Sequence, residues 1–205
     1  MTIEPLGGYP AGAVAPARQP RRRIQSPPAL LGSLSVLAAL PLAILTNTMF
    51  GDGELIVVHA ALGVGMVFLA ASVGDFRGPV ALRWIGATAL LVLGAIFLAQ
   101  GVAEIIQSPQ VFAIVYGDPT IQAVEKLSSY PIILWCLGLV ITHSRGKTRS
   151  LGMLSLGAIA LVEIYAFWIA STGGVLDITF RLTYLLAFAW LAVEAVKPRD
   201  PRNQS

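Results

Sequence analysis

The sequence predicts an all-α, polytopic integral membrane protein with six transmembrane helices. Only 12% of the 205 residues are charged, 56% are apolar and the mean hydropathy is +0.74, whereas soluble domains carry about 25% charged residues. Six apolar runs follow one another, and all but the fourth are near the roughly 20 residues that a helix needs to cross a hydrocarbon core about 30 Å thick. Turns rich in Gly, Asp and Pro separate several of these runs. The bilayer is therefore the predicted solvent of this chain.

The segment before the first apolar run is predicted to be disordered. Residues 1–27 are rich in proline and glycine and end in a basic cluster, Arg21 to Arg23, so they cannot bury a core. The apolar run after these arginines has full membrane length and no AxA-type site follows it, so we expect a retained span and not a cleaved signal. The predicted organisation is a basic cytoplasmic segment (1–27), a transmembrane domain (28–196) and a cytoplasmic tail (197–205).

The first three spans are predicted over residues 28–47, 54–74 and 80–101. Pro41 lies inside the first span, where it removes a backbone hydrogen bond and predicts a kink. The turn at 48–53 contains two glycines and an aspartate, and the turn at 75–79 ends in proline. Small residues are four apart in the second span, at Ala61 and Gly65, and eight apart in the third, at Gly86 and Gly94. Such spacing places them on one face of a helix and permits close helix contact.

The longest connection is predicted over residues 102–127. It contains two helix breakers, Ser108-Pro109 and Gly117-Asp118-Pro119, and the apolar stretch 111–116 between them is too short to span. This connection is compatible with a lid, a re-entrant segment or an interfacial segment. Asp118 followed by Pro119 is the pattern of a helix N-cap. It predicts that the fourth helix begins in water at that point.

The remaining spans complete the predicted bundle. The fourth helix is expected to enter the membrane near Tyr130 and to run to Thr142, with a kink at Pro131. The fifth and sixth spans are predicted over 151–171 and 178–196. The starts of spans three and six, VALRWIG and ITFRLTY, share an early arginine, which is a weak signal of a 3+3 inverted repeat.

The distribution of basic residues predicts the orientation in the membrane. With the N-terminus inside, 12 of the 14 Lys and Arg residues fall in inner segments, and only Lys126 and Arg181 fall outside. Positive charges concentrate on the cytoplasmic side of membrane proteins, so we expect both termini to be cytoplasmic and the protein to lie in the plasma membrane. The arginine clusters are interpreted as topogenic and lipid-facing. A nucleic-acid partner is not expected.

Four polar residues at depth form the candidate site: His59, Glu104, Glu163 and Arg181. Ionisable groups inside a span cost roughly 2.5–3.5 kcal/mol on insertion scales and usually face the bundle interior. All four belong to the predicted outer half of the bundle. The functional hypothesis is a polar pocket in which His59, Glu163 and Arg181 converge, with Glu104 at the rim, for an ion or a small polar solute. The alternative is a structural Glu163–Arg181 ion pair beside an unligated His59.

Haem and metal binding receive less support from the sequence. His59 with Gly63 and Gly65 nearby has the local pattern of an axial haem ligand. A second ligand is missing, however, because His143 is predicted at the opposite side of the membrane. No cysteine cluster or HxxxH pattern predicts a metal site, and the single cysteine, Cys136, excludes an intrachain disulfide.

Two non-enzymatic classes of function are favoured, since no catalytic motif is present; an intramembrane enzyme stays open as an alternative that no catalytic constellation supports. The protein either moves a small solute or ion through the candidate site or serves as a subunit of a membrane complex. The alternative is a redox subunit that contacts haem or quinone through His59. The expected partners are the lipid bilayer and either other membrane proteins or further copies of this chain.

Overall fold

The computed structural model describes residues 24–50, 54–168 and 175–197, and all regular structure within these ranges is helical. Seven α-helices follow one another there: α1 (Pro27–Phe50), α2 (Glu54–Ser72), α3 (Val80–Ile106), α4 (Pro109–Gly117), α5 (Pro119–Thr142), α6 (Lys147–Trp168) and α7 (Val175–Val196). A 3-10 turn, Val73–Asp75, extends α2. The all-helical prediction is therefore confirmed. The predicted terminal segments 1–27 and 197–205 lie almost wholly outside the described residues.

Three helices of the described part are long and apolar enough to cross a membrane. They cover Ile56–Asp75, Val80–Ile106 and Pro119–Thr142, with mean hydropathies of 2.2, 2.2 and 1.5. Two shorter apolar helical stretches, Pro27–Ala39 and Tyr184–Val196, lie in α1 and α7. An all-helical chain with such segments has the features of a membrane protein. The count of six spans remains a prediction.

The six long helices pack in a closed circle. In chain order, α1 packs on α2, α2 on α3, α3 on α5, α5 on α6 and α6 on α7, and α7 returns to α1. The short helix α4 lies outside this circle, against α3 and α5. The shared core includes two tryptophans, Trp135 of α5 and Trp190 of α7, which are 2% and 0% exposed. Consequently α2 and α6 lie on opposite sides of the bundle.

Glycines allow the backbones of neighbouring helices to approach closely. A Cβ on Gly32 of α1 would lie 2.7 Å from the carbonyl oxygen of Gly65 in α2, and a Cβ on Gly65 would lie 2.9 Å from that of Gly32. Similarly, a Cβ on Gly94 of α3 would lie 3.2 Å from the carbonyl oxygen of Gly63. The predicted use of Gly65 and Gly94 in close helix contacts is therefore confirmed.

The connection predicted over 102–127 is largely helical. Helix α3 continues five residues past the expected end at Gly101, because Val102 to Ile106 contain no breaker. It ends at Gln107, which adopts a left-handed conformation with φ 53°, since the following Ser108-Pro109 cannot continue the helix. The nine residues of α4 are too few to span a bilayer at about 1.5 Å per residue. Asp118 accepts hydrogen bonds from the backbone of Thr120 and Ile121, which confirms the predicted N-cap.

Polar contacts show which helix ends lie together. The Ser26 hydroxyl, at the start of α1, donates to Asp75 at 2.7 Å, and the Ser26 backbone N–H donates to Ala195 near the end of α7. Gln25 lies 2.8 Å from His143, just after α5. We call this the His143 end. The opposite end, with the start of α2, the end of α3, α4 and the start of α5, is the His59 end.

Candidate functional site

The centre of the candidate site is a direct contact between His59 and Glu104. His59 Nδ1 lies 3.0 Å from Glu104 Oε1, and the two side chains are 14% and 7% exposed. His59 comes from the first turns of α2 and Glu104 from the last turn of α3, so two antiparallel neighbours bring them to one level. Gly101 also lies at this level, and a Cβ there would be in ordinary van der Waals contact with His59 Cβ, at 3.5 Å. The ring of Phe97 stacks on His59 with centroids 6.1 Å apart.

Tyr116 of α4 completes this contact from a third helix. Its hydroxyl donates to Glu104 Oε1 at 2.5 Å and lies 3.5 Å from His59 Nδ1. Burial raises the pKa of Tyr116, and the hydrogen bond to Glu104 and the charges of Glu104 and Glu125 raise it further. The phenol is therefore a stable donor at every physiological pH. The ring also stacks on Phe112, one turn earlier in α4.

A second polar contact lies one helical turn from the first. Gln100 of α3 is 5% exposed, and its Nε2 donates to Glu125 Oε2 of α5 at 3.2 Å. An ionised carboxylate only accepts hydrogen bonds, so Glu125 fixes the amide orientation and leaves Oε1 of Gln100 as an acceptor. Gln100 and Glu104 share one face of α3, as residues four apart do.

Two oxygen atoms in this region lack a hydrogen-bond partner among the described residues. They are Glu104 Oε2 and Gln100 Oε1, and both are enclosed. A buried polar atom left without a partner costs about 1–3 kcal/mol, and native proteins usually satisfy such atoms with protein, water or ligand. The site therefore contains two enclosed acceptors that no side chain of the described part satisfies.

The structure brings together only some of the residues predicted for the site. His59 and Glu104 are in contact. Glu163 of α6 instead accepts a hydrogen bond from the hydroxyl of Tyr184 in α7 at 3.1 Å. Because α6 lies across the bundle from α2, Glu163 belongs to another part of the circle. Arg181 lies in α7, and its side chain falls outside the described residues.

Three residues of the site were missed by the sequence analysis: Gln100, Tyr116 and Glu125. A signal was present for Gln100, because a glutamine four residues before Glu104 places two polar groups on one face of an apolar helix. Tyr116 lies in the connection whose path the sequence left open. Glu125 lies in the polar first part of α5, where an acidic residue is usually solvated.

The other histidine makes a separate set of contacts at the His143 end. The backbone N–H of Arg77 donates to His143 Nδ1 at 3.3 Å, and the ring packs edge-on against Phe76. The two histidines thus lie at opposite ends of the bundle, so they do not offer two ligands to one haem. Among the described residues, no group of three His, Cys, Asp or Glu side chains forms a metal site.

Comparisons with known protein families, curated proteins and solved structures found no match. The class of the protein therefore comes from its own fold and site. The fold is an all-helical bundle with membrane-spanning features, and the site is a buried, acidic cluster at one end of it.

Proposed function

We propose that this protein is a six-span membrane protein that moves a small solute or ion across the bilayer. The proposal rests on the burial and hydrogen bonding of Glu104. Its carboxylate is 7% exposed, with one oxygen bonded to His59 and Tyr116 and the other without a described partner. Ionisable residues within transmembrane bundles are typical of ion and substrate pathways. Glu104 is the proposed binding group, and His59 and Tyr116 orient it.

The proposed orientation places the site on the outer side of the plasma membrane, with both termini in the cytoplasm. The basic residues support it, since Arg77, Arg145 and Lys197 all belong to the His143 end. Acidic Glu104 and Glu125 belong to the His59 end. This asymmetry agrees with the excess of positive charge on the cytoplasmic side of membrane proteins. Six spans in this orientation would also accommodate the weak 3+3 inverted repeat.

Transport is tested with purified protein in liposomes. Currents are recorded on a supported membrane while a panel of inorganic ions, amines, amino acids and organic acids is applied in turn. We expect at least one compound to produce a current, or uptake of a labelled form, that Glu104→Gln reduces at least about tenfold, which corresponds to loss of one charge-assisted hydrogen bond. Tyr116→Phe is expected to reduce it less, because the carboxylate remains.

The matched control is Tyr130→Phe, which removes the same hydroxyl from an exposed tyrosine of α5 and should leave the rate unchanged. Transport by the wild type that Glu104→Gln leaves unaffected would overturn the assignment of the site. If the panel gives no transport and the protein co-purifies with stoichiometric partner chains, the subunit hypothesis replaces the transport hypothesis.

A redox role for His59 is the second candidate. The hydrogen bonds of its ring use Nδ1, and metal-bound histidines typically donate one ring N–H to a carboxylate while the other nitrogen binds the metal. An optical spectrum of the purified protein tests the haem form. A Soret band that His59→Ala removes would support it, and a colourless protein would contradict it.

A further inference from the structure

The hydrogen bonds within the candidate site occupy one oxygen of Glu104 and one N–H of Gln100. Tyr116 O–H donates to Glu104 Oε1, and His59 Nδ1 lies within hydrogen-bond distance of the same oxygen. The amide N–H of Gln100 donates to Glu125. Two enclosed side-chain atoms of the site have no partner among the described residues, and both are acceptors: Glu104 Oε2 and Gln100 Oε1. A ligand that satisfies them must therefore donate at least two hydrogen bonds.

The charges at the site favour a positive ligand. The site contains two carboxylates, Glu104 and Glu125, and one histidine, which carries at most a single positive charge. Ionised carboxylates therefore outnumber the positive charge, and the three side chains together are negative even if His59 is positively charged. An enclosed carboxylate is strongly stabilised by an opposite charge, whereas an anionic ligand would be repelled by two carboxylates.

The arrangement of the acceptors favours a small ligand. Gln100 and Glu104 are neighbours on one face of α3, with Cβ atoms roughly 5–6 Å apart at this spacing. Since both oxygens belong to this one face, a single nitrogen with two N–H groups is the smallest ligand that would donate to both. Phe97 stacks on His59 and adds an aromatic ring to the cluster.

We propose that the site binds a small cation that donates hydrogen bonds, ammonium or a primary amine, held between Glu104 Oε2 and Gln100 Oε1. This inference rests on the proposed function and names the ligand class of the same site. Glu125 acts as a positioning residue, because it holds the Gln100 amide with its oxygen turned inward. His59 and Tyr116 position Glu104 in the same way.

The proposal is tested by binding to the full-length protein in mild detergent. Methylammonium chloride is titrated at constant ionic strength, and thermal stability and calorimetry are recorded. Tetramethylammonium chloride is the first control, because it has the same charge and no N–H donor. Sodium chloride is the second. We expect saturable stabilisation by methylammonium and none by the two controls.

Variants locate the binding site. Gln100→Leu removes the amide acceptor with little change in volume and should weaken methylammonium binding at least about tenfold, as should Glu104→Gln. Glu125→Gln frees the Gln100 amide to turn and should weaken binding less. Lys126→Gln removes an exposed charge from the same stretch of α5 and should leave the affinity unchanged. Correct folding of each variant is checked by its elution profile and helical content.

Each contrary result has a distinct meaning. Equal stabilisation by sodium and methylammonium would overturn the requirement for N–H donors. Absence of any saturable effect would mean that water alone satisfies the two oxygens, and the proposed ligand class would be wrong. The transport proposal would survive that result if another compound of the panel still gave a Glu104-dependent current. It would fail if no compound did.

Discussion

His143 is the residue whose charge state the structure ties most directly to stability. Burial lowers its pKa, and the nearby cations Lys197, Arg77 and Arg145 lower it further, while Glu194 opposes them. Nδ1 accepts the backbone N–H of Arg77, so the neutral ring is the form that the fold uses. Protonation of Nδ1 would break this bond. Gln25 and Phe76 complete the surroundings of the ring.

The pH dependence of stability follows from this lowered pKa. The unfolded chain takes up the proton near pH 6.5, whereas the folded protein takes it up only at lower pH. The contribution of neutral His143 is therefore fully present above about pH 6.5 and is lost as the pH falls toward the folded pKa. We expect the melting temperature in detergent to fall from about pH 7 to about pH 5.

The variant His143→Asn distinguishes the contribution of His143 to this pH dependence from those of other titratable groups. Asparagine offers an acceptor to the Arg77 N–H but does not titrate, so its melting temperature should change less over the same pH range. An identical pH dependence in both proteins would show that another group is responsible.

The burial of Glu104 depends on its neighbours in the fold and not on its local sequence. The sequence placed it just past a predicted span, where a carboxylate usually remains in water. The continuation of α3 beyond Gly101 and the contact with α4 enclose its side chain. Because of this enclosure, the second carboxylate oxygen is shielded from water and has no partner among the described residues. Nothing in the local sequence distinguishes a solvated glutamate at a helix end from a buried one.

Helix α4 is the element whose packing is weakest among the seven described. It has no buried residue, and it is bounded by the left-handed Gln107 and by Asp118. It is linked to the rest of the site by the hydrogen bond from the Tyr116 hydroxyl to Glu104. Segments with few buried contacts open at low free energy. We therefore expect α4 to be the part of the site that opens to admit a ligand.

Hydrogen exchange tests this expectation. The amides of α4 should exchange faster than those in the buried middle of α3, and Tyr116→Phe should accelerate the exchange of α4 further, because the tie to Glu104 is lost. Tyr130→Phe should have no such effect. Exchange in α4 that is as slow as in α3 would contradict a role in opening.

The glycine contact between α1 and α2 is the clearest prediction at the scale of the whole bundle. Gly65→Ala would place a methyl group 2.7 Å from the Val36 side chain and 2.9 Å from the Gly32 carbonyl oxygen. Overpacking of this kind costs about 1–3 kcal/mol, which exceeds the gain of up to about 1 kcal/mol from helix propensity. We expect a lower melting temperature in detergent.

Gly157→Ala in α6 is the matched control, because a Cβ there meets no atom within 4 Å. It should be neutral or slightly stabilising. Equal effects of the two substitutions would indicate that helix propensity, and not the approach of α1 to α2, decides the outcome.

The helical class and many of the helix boundaries could be predicted from the sequence. Asp118 with Pro119 predicted the start of α5, and the apolar runs predicted the positions of α2, α3 and α5, because caps, breakers and run lengths act over a few residues. The tertiary structure decided which polar groups meet. Glu104 bonds to His59 and Tyr116, whereas on the other side of the bundle Glu163 accepts a hydrogen bond from Tyr184 of the neighbouring helix. Such pairs depend on helix order and rotation about the helix axis, which packing fixes through contacts such as Gly32 against Gly65. Hydrophobicity of the spans does not specify either quantity, since nearly every face of these helices is apolar.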